Sequence, residues 1–467
     1  MKIFDTKSGK KVEFIPLKKG KIGMYVCGPT VYDTAHLGHG RSAVSFDVIR
    51  RYFIYKGYKV NYVSNYTDID DKMINRARDE KIEVSELAAR IIPIYEKDYA
   101  ALGVMKPDVQ PRATEYIKGM VDLIEKLDSK GYVYVLDDGV YFDVARFSDY
   151  GKFSGQNLEE LQMGARVDVK ETKRNPQDFV LWKFEKKGEP SWDGPKIAGQ
   201  PGQKGRPGWH IECSAMSYKN LGESFDIHGG GLDLKFPHHE CEVAQSVACF
   251  GMGTFAKYWL HNGFINIDNE KMSKSLGNFF TLKEIFGGYD PQVVRFMFLQ
   301  THYRNPVNFS HVLLDQAKAA LGRIHDFVIK LRFIGEDDGT VSEKVGVVIN
   351  NCKLEFEKSM DDDFDTSGAL GALFDLVKNL NLMLGDKLIS KTDAKYIMEF
   401  LEKLDDVLVV IFHEEISLDE DEKYLIEQRE LARKERNFAK SDELRGILLK
   451  KGIVLEDTKD GTVWKKL

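Results

Sequence analysis

Two short stretches of this chain hold side chains whose types and spacing suit chemistry at phosphate. In MYVCGPTVYDTAHLGHGRS, from Met24 to Ser42, His36 and His39 stand three apart around Gly38, at what the pattern predicts to be the start of a helix. That spacing puts both imidazoles on one helix face, and Gly38 removes a side chain that would keep a ligand from the backbone. The helix N-terminus adds unpaired N–H groups and a dipole that favours an anion. The second stretch, KMSKSLGN, runs from Lys271 to Asn278 and begins 232 residues after His39. Lys271 and Lys274 can reach around a triphosphate and offset the charge that grows as pyrophosphate leaves. Taken singly, each stretch has a plainer reading, a pair of partly buried histidines or a solvated basic loop. No Walker sequence offers a competing phosphate site.

The same turn carries Cys27, a metal-capable thiol. The five cysteines, Cys27, Cys213, Cys241, Cys249 and Cys352, are odd in number and scattered, which fits neither a disulfide framework nor a C-x-x-C ribbon. They read as buried thiols or metal ligands. The HGGG run at His228 to Gly231 also occurs in lipase-like hydrolases, but no G-x-S-x-G elbow exists in the chain to go with it.

The elements that must position these residues follow from periodicity. An apolar strand over Lys21 to Cys27, a helix from about Gly38 to Lys56 stopped by Gly57, and an alternating strand in YKVNYVSNY make a β-α-β unit. Such a unit predicts a parallel sheet with ligands beyond its strand C-termini, where Cys27, His36, His39 and Thr67 would gather. Short strands around a DDG turn, followed by a Gly- and Pro-rich run from Glu185 to Gly208, mark residues 116–200 as an insertion. The catalytic domain is therefore expected over 1–115 and 201–310. From His311 helical periodicity dominates, with Thr366 as an expected N-cap, and residues 311–412 read as a helical bundle. After the acidic HEEISLDEDE the chain returns as a basic helical segment and a terminal strand, residues 413–467, with 12 Lys or Arg against 10 Asp or Glu from Asp421 onward.

At 467 residues the chain is too long for one core. A net charge of −6 argues against a protein whose whole surface binds polyanions, so any nucleic-acid contact must be local. The N-terminus lacks an apolar stretch of signal-peptide length, and VLVVIF falls far short of the ~20 residues that span a bilayer. A cytoplasmic enzyme is expected.

HLGH followed by KMSKS resembles the paired signatures of class I aminoacyl-tRNA synthetases. MYVCGPTVYD, NYTDIDDK, RPGWHIECSAM, FDIHGGG, FPHHE and KMSKSLGNFF, in that order, are similar to the cysteinyl-tRNA synthetase family, and so is the terminal GIVLEDTKDGTVW. The resemblance covers nearly the whole chain. It implies a Rossmann-like parallel-sheet catalytic domain with an insertion, then a helical bundle and a small C-terminal anticodon-binding domain. It implies ATP-dependent ligation of L-cysteine to tRNA(Cys) through a cysteinyl-adenylate, by a monomer, with Mg2+ accompanying ATP. It also implies one zinc ion that selects the substrate thiol, held by Cys27, Cys213, His238 and Glu242. His238 and Glu242 are an i, i+4 pair able to chelate from one helix face. Spacing alone does not choose this set, since His239, Cys241 and Cys249 are near and Cys241 would outrank Glu242.

By the same resemblance His36, Gly38, His39, Lys271 and Lys274 bind ATP. Trp209 and Thr67 wall the cysteine pocket, Gly28 offers a backbone contact, and His228 stands near the zinc-bound substrate. Their plainer readings are a core aromatic, a helix cap and a core histidine. Arg433, Phe438, Asp442, Asp457 and Trp464 fall at positions like those of an anticodon-reading surface, where aromatics stack on bases and Arg and Asp bond base edges. Two rivals are a cysteine ligase acting on an amino sugar and a non-catalytic zinc-dependent nucleic-acid-binding protein.

Overall fold

Strand β3 and helix α1, with the turn between them, set the frame for everything else. Before them β1 (Lys2–Asp5) and β2 (Lys10–Glu13) form an antiparallel pair. β3 (Lys21–Val26) is buried along its second half, α1 (Leu37–Tyr55) follows, and β4 (Lys59–Ser64) runs parallel to β3. α1 ends before Gly57, which has the left-handed φ of +85°. The computed structural model describes residues 1–156, 173–267, 270–272, 279–335, 339–412, 420–451, 453–458 and 461–466.

Helices α2 (Asp71–Glu80), α3 (Val84–Ala101) and α4 (Ile117–Ser129) follow β4. Next come β5 (Val133–Leu136), β6 (Gly139–Phe142), β7 (Phe179–Phe184) and β8 (Gly205–Pro207), an antiparallel sheet of their own. α5 (Trp209–Leu221), β9 (Ser224–Gly231), α6 (Glu240–Phe250) and β10 (Phe255–Asn262) then return to the first sheet. Its order is β10-β9-β3-β4, and every neighbouring pair is parallel. The chain leaves β3 toward one edge and later fills the other through β9 and β10. The crevice beyond the C-terminal ends of β3 and β9 is therefore the topological switch point, where α/β sheets hold their ligands.

β11 (Ile265–Ile267) pairs with β12 (Glu270–Lys271) and with β13 (Val307–Phe309), with α7 (Leu282–Phe286) and α8 (Pro291–Leu299) between them. Arg295 of α8 places its guanidinium 2.7 Å from Asp47 of α1, both side chains buried, and donates to the Leu102 carbonyl. Deleting one partner of such a pair leaves an uncompensated buried charge, so the contact between α8 and α1 is costly to break.

The remaining helices are α9 (His311–Arg332), α10 (Glu343–Asp361), α11 (Thr366–Gly385), α12 (Lys391–Leu408), α13 (Glu420–Lys434) and α14 (Phe438–Lys450), ending in the hairpin β14 (Ile453–Thr458) and β15 (Gly461–Lys466). Thr366, expected as an N-cap, stands inside the first turn of α11 and donates its hydroxyl to the Leu299 carbonyl. Met1–Leu314 with Ser359–Ser367 form one compact unit, and Asp315–Lys358 with Gly368–Leu467 form another. Ile426, Leu448, Ile453 and Leu455 make a small core that joins α13, α14 and the hairpin. None of the helices in the described residues is long and apolar enough to cross a membrane.

Candidate active site and metal centre

α1 begins with an unusual cap. The His36 Nδ1 accepts from the backbone N–H of Gly38 (3.0 Å) and of His39 (3.3 Å), while the His36 N–H donates back to the His39 Nδ1 (3.3 Å). This is a capping box built from two imidazoles, whose rings stack 3.6 Å apart. Accepting at Nδ1 fixes the tautomer of each ring, so the proton is carried on Nε2. Tyr95 places its hydroxyl 3.2 Å from the His39 Nδ1. Gly38 is needed for a reason beyond ligand access: a Cβ there would stand 2.9 Å from the His36 ring.

The segment that follows the second phosphate-type stretch meets this cap through the backbone. Leu37 N–H donates to the Phe280 carbonyl, and Leu282 N–H donates to the Ala35 carbonyl. On the other side of the lysine-bearing loop, Met272 N–H donates to the Ile265 carbonyl, and the Met272 side chain is buried at the cleft wall. Residues on either side of the loop are thus tied to the cleft. Lys271 ends β12, and Lys274 lies outside the described residues.

One cleft of about 380 Å³ is lined by residues from both halves of the sheet, among them Cys27, Gly28, His36, His39, Thr67 and Trp209. Cys27 follows β3 directly and donates its N–H to the Gly229 carbonyl of β9. Around it stand Cys213 from α5, His238 from the turn just before α6, and Glu242 in the first turn of α6. One donor atom from each of the four lies within 4.8 Å of the others. The Cys27 and Cys213 sulfurs are 3.6 Å apart, Cys27 is 3.4 Å from the Glu242 Oε1, and the His238 Nε2 is 3.0 Å from the same oxygen. A tetrahedral ion with bonds of roughly 2.1–2.3 Å needs edges of roughly 3.4–3.8 Å. The sulfur–sulfur and sulfur–oxygen separations match such an edge and the imidazole–carboxylate one is shorter, and two sulfurs, one imidazole and one carboxylate are a donor set that suits zinc. A second grouping, Cys27, His228, His239 and Glu242, is equally compact but offers a single sulfur. Cys241, favoured over Glu242 by residue type alone, points elsewhere, with its sulfur 3.4 Å from the Tyr150 hydroxyl. Cys249 packs its sulfur against the Leu123 carbonyl.

The charges of the cluster are mutually arranged. Burial disfavours the Glu242 carboxylate, yet His228 and His238 on either side hold it well below the usual carboxylate range. Burial likewise works against a charged His238, but Glu242 and Cys213 push its pKa up to about 10. The Cys213 thiol falls to about 6, burial being outweighed by hydrogen bonds from Cys27 and His238, while burial and the neighbouring thiol hold Cys27 high. The His238 Nδ1 is 3.0 Å from the His210 Nδ1, and burial lowers His210 to about 3. A neutral His210 accepts there, which leaves the His238 Nε2 to face the cluster. Residue type gave no reason to single out His210, because the contact joins two helices.

Trp209 is 38% exposed and stacks on the His238 ring at 4.2 Å, so the core-aromatic reading fails. Thr67 is buried and donates to the Glu212 carboxylate at 2.9 Å, so it caps no helix. The Gly28 N–H donates to the Asn65 Oδ1, a residue the sequence reading passed over, which also accepts from the Tyr25 hydroxyl. His228 is fully buried behind the cleft, with its Nε2 2.8 Å from Glu242. In the second unit Phe438 opens α14 and is 63% exposed, Asp442 follows one turn later, and Arg433 lies in the last turn of α13. Asp457 pairs with Thr462 and Trp464 with Leu455 across the hairpin.

The profile of the tRNA synthetases class I (C) catalytic domain matches residues 13–319, and that of the DALR domain matches residues 355–413. A cysteine–tRNA ligase of Anoxybacillus flavithermus is 48% identical over 469 residues, covering all of this chain and 99% of the relative. One from Geobacter sulfurreducens is 47% identical over 485 residues, with coverage of 100% and 99%. Among solved structures, the Mycobacterium tuberculosis methionyl-tRNA synthetase in complex with methionyl-adenylate superposes with a TM-score of 0.61 at 14% identity, covering 83% of this chain and 89% of that one. At that identity the likeness is one of fold. Full-length identity near one half, carried by curated relatives of a single kind, places this chain in the cysteine–tRNA ligase family of class I aminoacyl-tRNA synthetases.

Proposed function

We propose that the cleft joins L-cysteine to ATP and then to tRNA(Cys), in two steps. The cysteine carboxylate attacks the α-phosphate and expels pyrophosphate; the terminal ribose hydroxyl of the tRNA then attacks the mixed anhydride and releases AMP. The observation that carries this reading is that a two-thiol cluster and a histidine-capped helix start line one cleft at the switch point of the sheet. A thiol-bearing substrate and a nucleotide can therefore meet there. The match of whole chain to whole relatives favours it over the amino-sugar ligase and the non-catalytic reading.

In this reading His36 and His39 present their Nε2–H groups to the triphosphate, with the start of α1 adding its dipole. Lys271 and Lys274 stabilise the departing pyrophosphate, and Mg2+ accompanies ATP. No covalent enzyme intermediate is needed, since positioning and charge stabilisation suffice. Thr67, Trp209 and the Gly28 backbone hold the amino acid, and His228 orients Glu242. Cys27, Cys213, His238 and Glu242 would hold zinc, which when bound supplies a soft Lewis acid that prefers a thiolate sulfur to a neutral hydroxyl. Residues 413–467 read the anticodon, and the protein works as a cytoplasmic monomer. Cysteine-dependent exchange of pyrophosphate into ATP, followed by charging of a tRNA(Cys) transcript, tests the whole reading. Exchange that runs equally well without cysteine would defeat it.

A division of labour between the units follows. Phe438 is exposed, so its removal carries little folding cost, and base–aromatic stacking contributes about 1–3 kcal/mol. Phe438→Ala should raise the KM for tRNA in charging by roughly 10-fold, with pyrophosphate exchange unchanged. Parallel assays on one preparation decide this, and an equal loss in both would rule the division out.

A further inference from the structure

Behind the nucleotide cleft lies a turn, residues 302–305, closed by the Asn305 N–H donating to the His302 carbonyl at 2.9 Å. From the α1 side, Arg41 buries its guanidinium and donates Nη2 to the carbonyls of His302, Tyr303 and Asn305. No carboxylate pairs with it among the described residues, and its Nε and Nη1 have no hydrogen-bond partner. From the other side, the Gly263 N–H donates to the Tyr303 carbonyl at 2.8 Å. A Cβ at Gly263 would stand 2.5 Å from the Asn305 carbonyl oxygen, so the contact requires glycine. Gly263 itself lines the cleft and leads into β11 and β12, at the end of which Lys271 stands.

The turn is fixed from behind by one carboxylate. Asp363, fully buried, accepts from the Tyr303 hydroxyl (3.0 Å), the Arg304 Nε (2.6 Å) and the Phe4 N–H (2.7 Å), with the His302 Nε2 within 3.5 Å. It does so from a left-handed backbone conformation, φ +66°, which Asp and Asn adopt more readily than other non-glycine residues. Asp363 belongs to the corner between α10 and α11, a segment of the first unit flanked in sequence by residues of the second.

We infer that Asp363 and Arg41 are positioning residues for adenylate formation: together they clamp the 302–305 turn and so set the spacing between the histidine-capped start of α1 and the strand that carries Lys271. The inference rests on the ligase reading above. A shift of about 1 Å between reacting groups costs up to about 100-fold in rate. The test is cysteine-dependent pyrophosphate exchange on the full chain, with thermal unfolding measured alongside. Asp363→Asn keeps the side-chain shape and tolerates the left-handed backbone, while Arg41→Met keeps an unbranched buried stem and removes the donor to the three carbonyls. Each should lower kcat by roughly 10- to 100-fold while the KM for cysteine moves by less than about threefold. Because both act through one turn, the double variant should be no slower than the worse single one by more than about twofold. Folded variants with parental kcat, or losses that multiply in the double variant, would overturn the inference. If Asp363→Asn does not fold, Tyr303→Phe removes one donor to the carboxylate and should lower kcat with the same split; parental kcat there is equally fatal. A parent protein with no cysteine-dependent exchange would instead count against the ligase reading.

Discussion

Cys213→Ser should lose zinc and, with it, most of its preference for cysteine over serine. The substitution exchanges one buried atom, since Cys213 is 2% exposed and its neighbours need not move. A structural zinc site is worth about 10–16 kcal/mol over four ligands, so one ligand accounts for about 2.5–4 kcal/mol, or roughly 60- to 700-fold in affinity. The effect on selectivity comes from the substrates, which differ only in sulfur for oxygen. A pocket that sorts by shape separates such a pair by about 1–3 kcal/mol. A metal sorts them by bonding, because coordination deprotonates a thiol of ordinary pKa about 8.5 far more readily than a hydroxyl. Metal analysis and exchange with serine as competitor belong on the same preparation. A zinc-free variant that still prefers cysteine as strongly as the parent would refute this account of selectivity.

Lys274→Ala should lower kcat for adenylate formation by about 100- to 1,000-fold, with much smaller change in the KM for cysteine. A cation that meets charge developing on the leaving pyrophosphate interacts more strongly in the transition state than in the ground state, and removal of one such donor costs about 3–4 kcal/mol. Uniform binding would instead raise KM alone. Rapid-quench measurement of the first turnover isolates the chemical step. Unchanged kcat with weakened ATP binding would reduce Lys274 to a binding residue.

Much of the frame can be read from local sequence. The β-α-β pattern placed α1 at about Gly38 to Lys56, against Leu37–Tyr55 in the structure, because buried strands and glycine stops leave strong local marks. The parallel pairing of β3 and β4, and the gathering of Cys27, His36, His39 and Thr67 at one cleft, follow from the same rule. What could not be read depends on contacts between distant segments. The β10-β9-β3-β4 order is fixed by where the chain returns after the insertion. His36 and His39 cap their own helix, a role normally signalled by Ser, Thr, Asp or Asn. The choice of Glu242 over Cys241 turns on which face of α6 meets Cys27. Asp363 reaches Phe4 across 359 residues of sequence, a distance over which periodicity is silent.

Cobalt replacement in the full-length protein reads the thiol-binding step without relying on turnover. The thiolate-to-metal absorption of cobalt grows with the number of sulfurs, and the cluster supplies two, from Cys27 and Cys213. Adding L-cysteine should raise that absorption by about half, as a third sulfur joins, and adding L-serine should leave it unchanged. An absorption that cysteine does not alter, in protein that still forms the adenylate, would show that the substrate thiol is recognised by something other than the metal.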